Sequence, residues 1–337
     1  MFKRGLVALL LFLIIISQVA TAEVDFITHS YSELGPIPGL LQDFSSHLEL
    51  PSGPEAIAIH QVQAQITVYS MKQWEVFLAS REYYQAQTTR QTVDYLRHHL
   101  ADSDQEYPEG EFFLKTQILK TRGAGLTWKT GGENWGLELS ALLLPDVFRE
   151  QRHLVGNISG KGAWGSYEFI QEDPLQQGYG FSGDLSLQTE LGLQTLTLQI
   201  RNIYSYLYWP ATRYELGQFN YRHYRETEDG LNILPPLLRG TRHSLARTAR
   251  LPWQGQLILD RDFSGRTGRI SLFFPEPSYL KLTWPLGEKN SLLIILPRPA
   301  AGVKYDGNTI SFQLWADDFR LHKIQNIGLA VNLGWEF

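Results

Sequence analysis

Serines and histidines are the residues through which this chain could do chemistry. A serine hydrolase sets its nucleophile in Gly-x-Ser-x-Gly, where a sharp turn exposes the hydroxyl. Ser159 stands in Gly156-Asn157-Ile158-Ser159-Gly160 and Ser182 in Gly180-Phe181-Ser182-Gly183. Neither has that spacing, and both read as turn residues. Arg242-His243-Ser244 sets a base beside a hydroxyl. Adjacent residues of a strand point to opposite faces, so the pair falls outside hydrogen-bond reach. His98-His99 and the acids Asp102, Asp104 and Glu106 suggest a metal. A calcium loop wants Gly at its sixth position, and Tyr107 stands there. The acids read as a solvated loop. No catalytic, cofactor-binding or metal-binding residue is assigned, no cofactor is expected, and the balance of the motifs is against an enzyme.

One constellation carries a different chemistry. Arg239, Arg242, His243, Arg247 and Arg250 form a basic cluster, followed by Arg261, Arg266 and Arg269. Facing a channel lumen, arginines favour anions and disfavour cations. In an outer loop they pair with lipopolysaccharide phosphates through charge-assisted bonds. Glu226, Glu228, Asp229, Asp260 and Asp262 offset them if the stretch is an ordinary surface loop, which is the favoured reading.

The chain that must position these residues has 337 amino acids, 43% hydrophobic and 19% charged, with no Cys. That apolar content supports a folded body rather than a disordered chain. Lacking Cys, it has no disulfide scaffold, thiolate zinc site, iron–sulfur site, cysteine nucleophile or acylated lipoprotein anchor. A formal charge of -5 gives no basic field for nucleic acid.

Residues 1–22 read as a cleaved secretory signal. Lys3 and Arg4 precede an apolar run from Gly5 to Ile16, and Ala20-Thr21-Ala22 supplies the small-x-small cleavage pattern. The run is short for crossing about 30 Å of hydrocarbon as an anchor. Losing Lys3 and Arg4 takes 30 basic residues to 28 against 35 acidic, a formal charge of -7. No later apolar run approaches the roughly 18 residues of a spanning helix. A membrane β-barrel and a soluble periplasmic β-sandwich binding protein remain.

The last segment separates them. Ile327, Leu329, Val331, Leu333, Trp335 and Phe337 alternate with Gly328, Ala330, Asn332, Gly334 and Glu336. Such a period of two suits a strand with one lipid face and one wet face. Here the chain resembles bacterial, Gram-negative outer-membrane β-barrel proteins. The resemblance implies a C-terminal signal, Leu333, Trp335 and Phe337, that the barrel-assembly machinery reads. It also implies an outer-membrane location with lipid and lipopolysaccharide as surroundings. No specific family is identified.

Alternation recurs at Ile57–Val68, Trp74–Tyr84, from Phe112 through Leu143, and at Trp164–Gln171 and Ser182–Glu190. It continues from Leu196, Leu198 and Ile200 into Tyr204, Tyr206 and Tyr208, as a lipid band meets an aromatic girdle. Further strands are expected at Gln256–Asp260, Thr267–Phe274, Tyr279–Trp284, Leu292–Pro297 and Thr309–Trp315, with tight turns at Gly287–Asn290 and Asp306–Asn308. Residues 85–110 read as an exposed loop with a helical turn or two at Val93, Leu96 and Leu100, and 226–252 as a long loop.

The expected fold is all-β: a single transmembrane antiparallel β-barrel of about 14 strands, within a range of about 12 to 16 for this length. Its divisions are the signal 1–22, a proline-rich segment 23–54 acting as a plug or periplasmic extension, and the barrel 55–337. The expected function is a channel or uptake pore for a small solute. The alternatives are a barrel enzyme acting on lipid or lipopolysaccharide, and the periplasmic sandwich.

Overall fold

A computed structural model describes residues 21–33, 55–160 apart from 72 and 101–106, 162–172, 177–221, 225–226, 232–233, 238–320 apart from 263–265, 275–277 and 298, and 323–336. The bulk of the signal, residues 34–54, the acids Asp102, Asp104 and Glu106, and Phe337 lie outside them.

Strands follow one another as antiparallel neighbours: β1 (Thr21–Ser32), β2 (Glu55–Met71), β3 (Trp74–Thr89), β4 (Tyr107–Gly132) and β5 (Trp135–Gly160). Beside β5 run β6 (Gly162–Glu172) and β7 (Gly178–Leu191), end to end in one position, and both pair with β8 (Gln194–Tyr221). A two-residue pairing, β9 (Arg225–Glu226) with β10 (Asn232–Ile233), stands apart. The far edge of β8 carries β11 (Leu238–Ala249) and then β12 (Gln254–Asp262), again end to end. Next come β13 (Thr267–Phe274), β14 (Tyr279–Pro285), β15 (Asn290–Leu296), β16 (Ala300–Asp306), β17 (Ile310–Ala316) and β18 (Asn326–Glu336). The pairing of β18 with β1, Val24 opposite Leu333, closes the ring as an antiparallel 14-strand barrel. Closure removes every sheet edge in the belt, and a two-sheet sandwich is excluded.

Period-two alternation sets what each face meets. Ile66, Leu78, Leu126, Leu139, Leu187, Leu257, Leu272, Ile294, Val303, Phe312 and Leu314 point outward and stay exposed. Together they form a continuous apolar belt that only lipid satisfies. The shortest strands, of 7 residues, run about 23 Å at about 3.3 Å per residue, which a tilt of about 40° makes about 18 Å of height, within an outer-membrane belt of about 25 Å. Trp74, Trp135 and Trp284 rim the end where β1 begins and β18 ends, and Tyr179, Tyr204 and Tyr206 rim the other. Among the described residues no helix is long and apolar enough to cross a membrane; this barrel crosses with strands.

The wall is lopsided. β4 and β5 have 26 residues each and β8 has 28, against 7 or 8 for β13 to β17. Above the belt the outward positions turn polar, with ion pairs Lys120–Glu82 at 3.1 Å and Arg122–Asp146 at 3.9 Å. Higher still, α1 (Arg90–Leu100) folds back over this tall wall. Thr89 caps it, its Oγ1 accepting the Thr92 N–H at 3.3 Å. Val93 packs on Ala56, Ala58 and Ala86, and Tyr95 joins Phe112, Leu154, Ile158, Ala163, Tyr167 and Phe219 in a second apolar cluster.

Four expectations need correction. The opening part of 23–54 is not a plug or extension: Glu23–Ser32 is barrel strand β1, because the prolines at 36, 38, 51 and 54 all lie beyond it. The barrel therefore begins before residue 55. Residues 238–249, expected in a loop, form β11; pairing with the top of β8, above lipid, it needs no apolar alternation. The stretch at 90–100 is a full helix with a buried face rather than an exposed loop. β16 went unforeseen, since Ala300, Ala301 and Gly302 give a weak pattern.

Candidate functional site

The inward faces of the strands build the lumen, and polar side chains cross it. On β3, Arg81 donates from Nη2 to the Asp184 carboxylate of β7 at 2.6 Å and from Nη1 to Asn202 Oδ1 of β8 at 2.8 Å. Asn202 sits at a bulge in β8 with φ of 55°, and its backbone N–H donates to Asp184 at 2.7 Å. The bulge turns two successive residues, Arg201 and Asn202, towards the interior. Arg201 donates to Gln63 Oε1 of β2, and Gln63 Nε2 donates to Gln254 Oε1 of β12 at 3.3 Å. β2 and β12 lie on nearly opposite sides of the ring, so Gln63 and its partners bridge the lumen.

Beside this bridge the interior is filled on the tall side. Phe77, Leu119, Leu142, Leu144, Val147, Leu207, Trp209 and Leu251 form a buried apolar cluster. Gly125 makes room for Phe77, whose ring occupies the place of a Cβ at 125.

On the short-strand side a pocket of about 140 Å³ remains, lined by His29, Arg201, Phe273, Tyr279 and Trp315, with the side-chain amides of Gln61, Gln63, Gln199, Gln254 and Gln256. Phe273 and Tyr279 stack with centroids 4.2 Å apart, and His29 tilts against Tyr279 at 5.4 Å and Trp315 at 6.1 Å. Trp315 and His29 are held from β18: the Trp315 ring lies over Gly328, and His29 Nε2 meets Asn326 Oδ1 at 3.1 Å. Beneath, the Lys281 ammonium reaches Gln313 Oε1 at 3.0 Å and lies 5.4 Å from the ring centroids of both Phe273 and Trp315. Paired charges line the remaining descent: Arg269 binds Asp260 through two bonds of 2.6 and 2.8 Å, and Lys304 meets Asp306 at 2.7 Å.

The basic cluster foreseen in the sequence is divided by the geometry of β11. Arg242 lies on the outer face, paired with Glu215 at 2.5 Å. Arg247 turns inward, its guanidinium 4.4 Å from the Tyr214 ring centroid. His243 is exposed, and Arg250 follows the strand and lines a cleft in the wall beside Asn202 and Trp253. Arg239 pairs with Gln218 through the backbone. Arg242 and Arg247 thus face opposite sides of the wall. Ser182 is not a turn residue but an inward strand position, donating to Asn202 Oδ1 at 2.8 Å. Ser159 ends β5, and His98-His99 end α1. Leu333 lies between Val24 and Ile310, and Trp335 pairs with Ala22.

Missing from the sequence reading were Arg201, Lys281 and the pocket rings. Phe273, Tyr279 and Lys281 come from the consecutive strands β13 and β14, and only the ring of strands brings Arg201, His29 and Trp315 to them. Their one signal was polarity at inward positions of otherwise apolar strands.

No protein-family model and no curated protein matches the chain. Among solved structures it is similar to the CymD monoaromatic hydrocarbon channel, at 7% identity over 95% of this chain and 89% of that one, with a TM-score of 0.48. It is also similar to a TodX deltaS2S3 mutant monoaromatic hydrocarbon channel, at 9% identity over 94% and 90%, with a TM-score of 0.45. A third likeness is to the translocator domain of the autotransporter NalP from Neisseria meningitidis, at 9% identity over 95% and 89%, with a TM-score of 0.40.

Proposed function

We propose that this chain is an outer-membrane channel of a Gram-negative bacterium, admitting small solutes through a narrow lumen. The observation that carries the reading is the pocket of about 140 Å³ inside a closed, lipid-belted barrel. The bridge through Arg81, Asn202, Arg201 and Gln63 favours a selective path over a wide aqueous pore, because a solute must pass among fixed hydrogen-bonding groups.

The cleaved signal and the C-terminal residues Leu333, Trp335 and Phe337 suit export and insertion by the barrel-assembly machinery. Outward cations above the belt, Arg122 and Arg242 among them, favour lipopolysaccharide phosphates as neighbours. The 34–54 remainder of the proline-rich segment is a candidate to fill the lumen. Planar-bilayer recording with the purified full chain tests the proposal: small stepwise conductance supports it, and silence from folded, inserted protein opposes it.

A further inference from the structure

We propose that the lumen pocket takes a small aromatic carboxylate, an inference that rests on the channel reading and names its solute class. Three independent features converge on it.

The first is size. A cavity of about 150 Å³ accommodates one benzene ring, so about 140 Å³ suits a single ring.

The second is surface. The stacked Phe273 and Tyr279 rings, with Trp315 and His29, present aromatic faces and edges to a flat apolar body.

The third is charge. Four other lumen cations have carboxylates: Arg81 has Asp184, Arg269 has Asp260, Lys304 has Asp306 and Lys129 has Glu75. Arg201 and Lys281 bond side-chain amides instead, and among the described residues neither forms an ion pair. Asp184 and Asp25 lie within the field of Arg201; Arg81 pairs with the first, and the second, bonded by the neutral Asn332 amide, offsets part of the Arg201 charge without touching it. The buried Trp315 Nε1–H, also at the pocket, has no hydrogen-bond partner among the described residues. Two cations bonded only to neutral amides and an idle donor call for an anionic acceptor. A neutral sugar suits the rings and amides but leaves that charge unanswered.

Higher on the inner wall the same chemistry recurs. Arg149 and Arg247 lie against Trp209 and Tyr214, at 5.5 and 4.4 Å from the ring centroids, and the Nε of each is buried without a partner. Glu168 offsets part of the Arg149 charge. This pair draws anions towards the pocket.

The test uses the folded full chain in detergent micelles, titrated calorimetrically with benzoate, benzamide and acetate, with conductance recorded in parallel. Benzoate is expected to bind at least about tenfold tighter than either comparator. Arg201→Gln should weaken benzoate about tenfold and change benzamide by less than about twofold. Heat-modifiable gel mobility reports whether that variant folds, and Lys281→Gln gives the same comparison from a second position. Benzamide or acetate binding as tightly as benzoate, in a barrel that still conducts, overturns the assignment. Benzoate selectivity without any conductance supports the assignment and overturns the channel reading alone.

Discussion

Arg81 on β3 and Asp184 on β7 meet at 2.6 Å inside the barrel, joined through Asn202 to a bulge in the strand beyond. Both side chains are largely withdrawn from solvent, so removing one leaves the other charge unmatched. Asp184→Ala should destabilise the barrel by about 2 to 3 kcal/mol. Urea unfolding followed by tryptophan fluorescence measures this. Asp184→Ala together with Arg81→Met should recover part of the loss.

Trp315 lies against Gly328, with ring atoms where a Cβ at 328 would stand. Gly328→Ala should push the indole into the pocket, because the backbone of a paired strand cannot retreat. The expected result is a folded barrel with reduced solute flux in liposomes. Unchanged flux from Gly328→Ala would show that Trp315 does not border the path.

The belt is tested by depth. Leu272 is exposed at mid-height on β13, and Leu245 is exposed above the belt on β11. Leu272→Arg should cost about 2 to 4 kcal/mol of folding stability in lipid, and Leu245→Arg less than about 1 kcal/mol. Equal effects at the two positions would mean that the apolar band does not face hydrocarbon.

In the exposed connection between β17 and β18, Arg320 donates to the Asp318 carboxylate from its side chain at 2.6 Å and from its backbone N–H at 2.9 Å. Side-chain bonding from Arg320, then the backbone bond, holds that carboxyl well below the usual carboxylate range. A lowered folded value means any stabilisation is present above the unfolded value, about 3.9, and fades as pH falls through the folded one. Carboxyl chemical shifts should show Asp318 still ionised at pH 3, and Arg320→Ala should return it to the ordinary range.

The barrel was legible in the sequence where strands touch lipid. There one face must be apolar and the other polar, so Ile310–Leu314 and Ile327–Leu333 declared themselves. Legibility stopped where that constraint stops. β11 pairs with β8 above the belt, and its run of Arg, His and Ser carried no periodic signal. β1 does alternate, with Val24 and Phe26 outward against Asp25 and Ile27, but prolines further along masked it. The pocket was illegible for another reason. Gln63, Arg201 and Gln254 meet only because closure and stagger bring β2, β8 and β12 to one level. No local motif encodes that meeting.

The most direct test of a narrow, bridged lumen is single-channel recording of the wild-type chain beside Gln63→Ala. Gln63 joins Arg201 to Gln254 across the barrel, and its truncation opens that bridge. Small steps in the wild type and a conductance raised severalfold in Gln63→Ala are the expected result. Identical conductance in two folded, inserted barrels would contradict it.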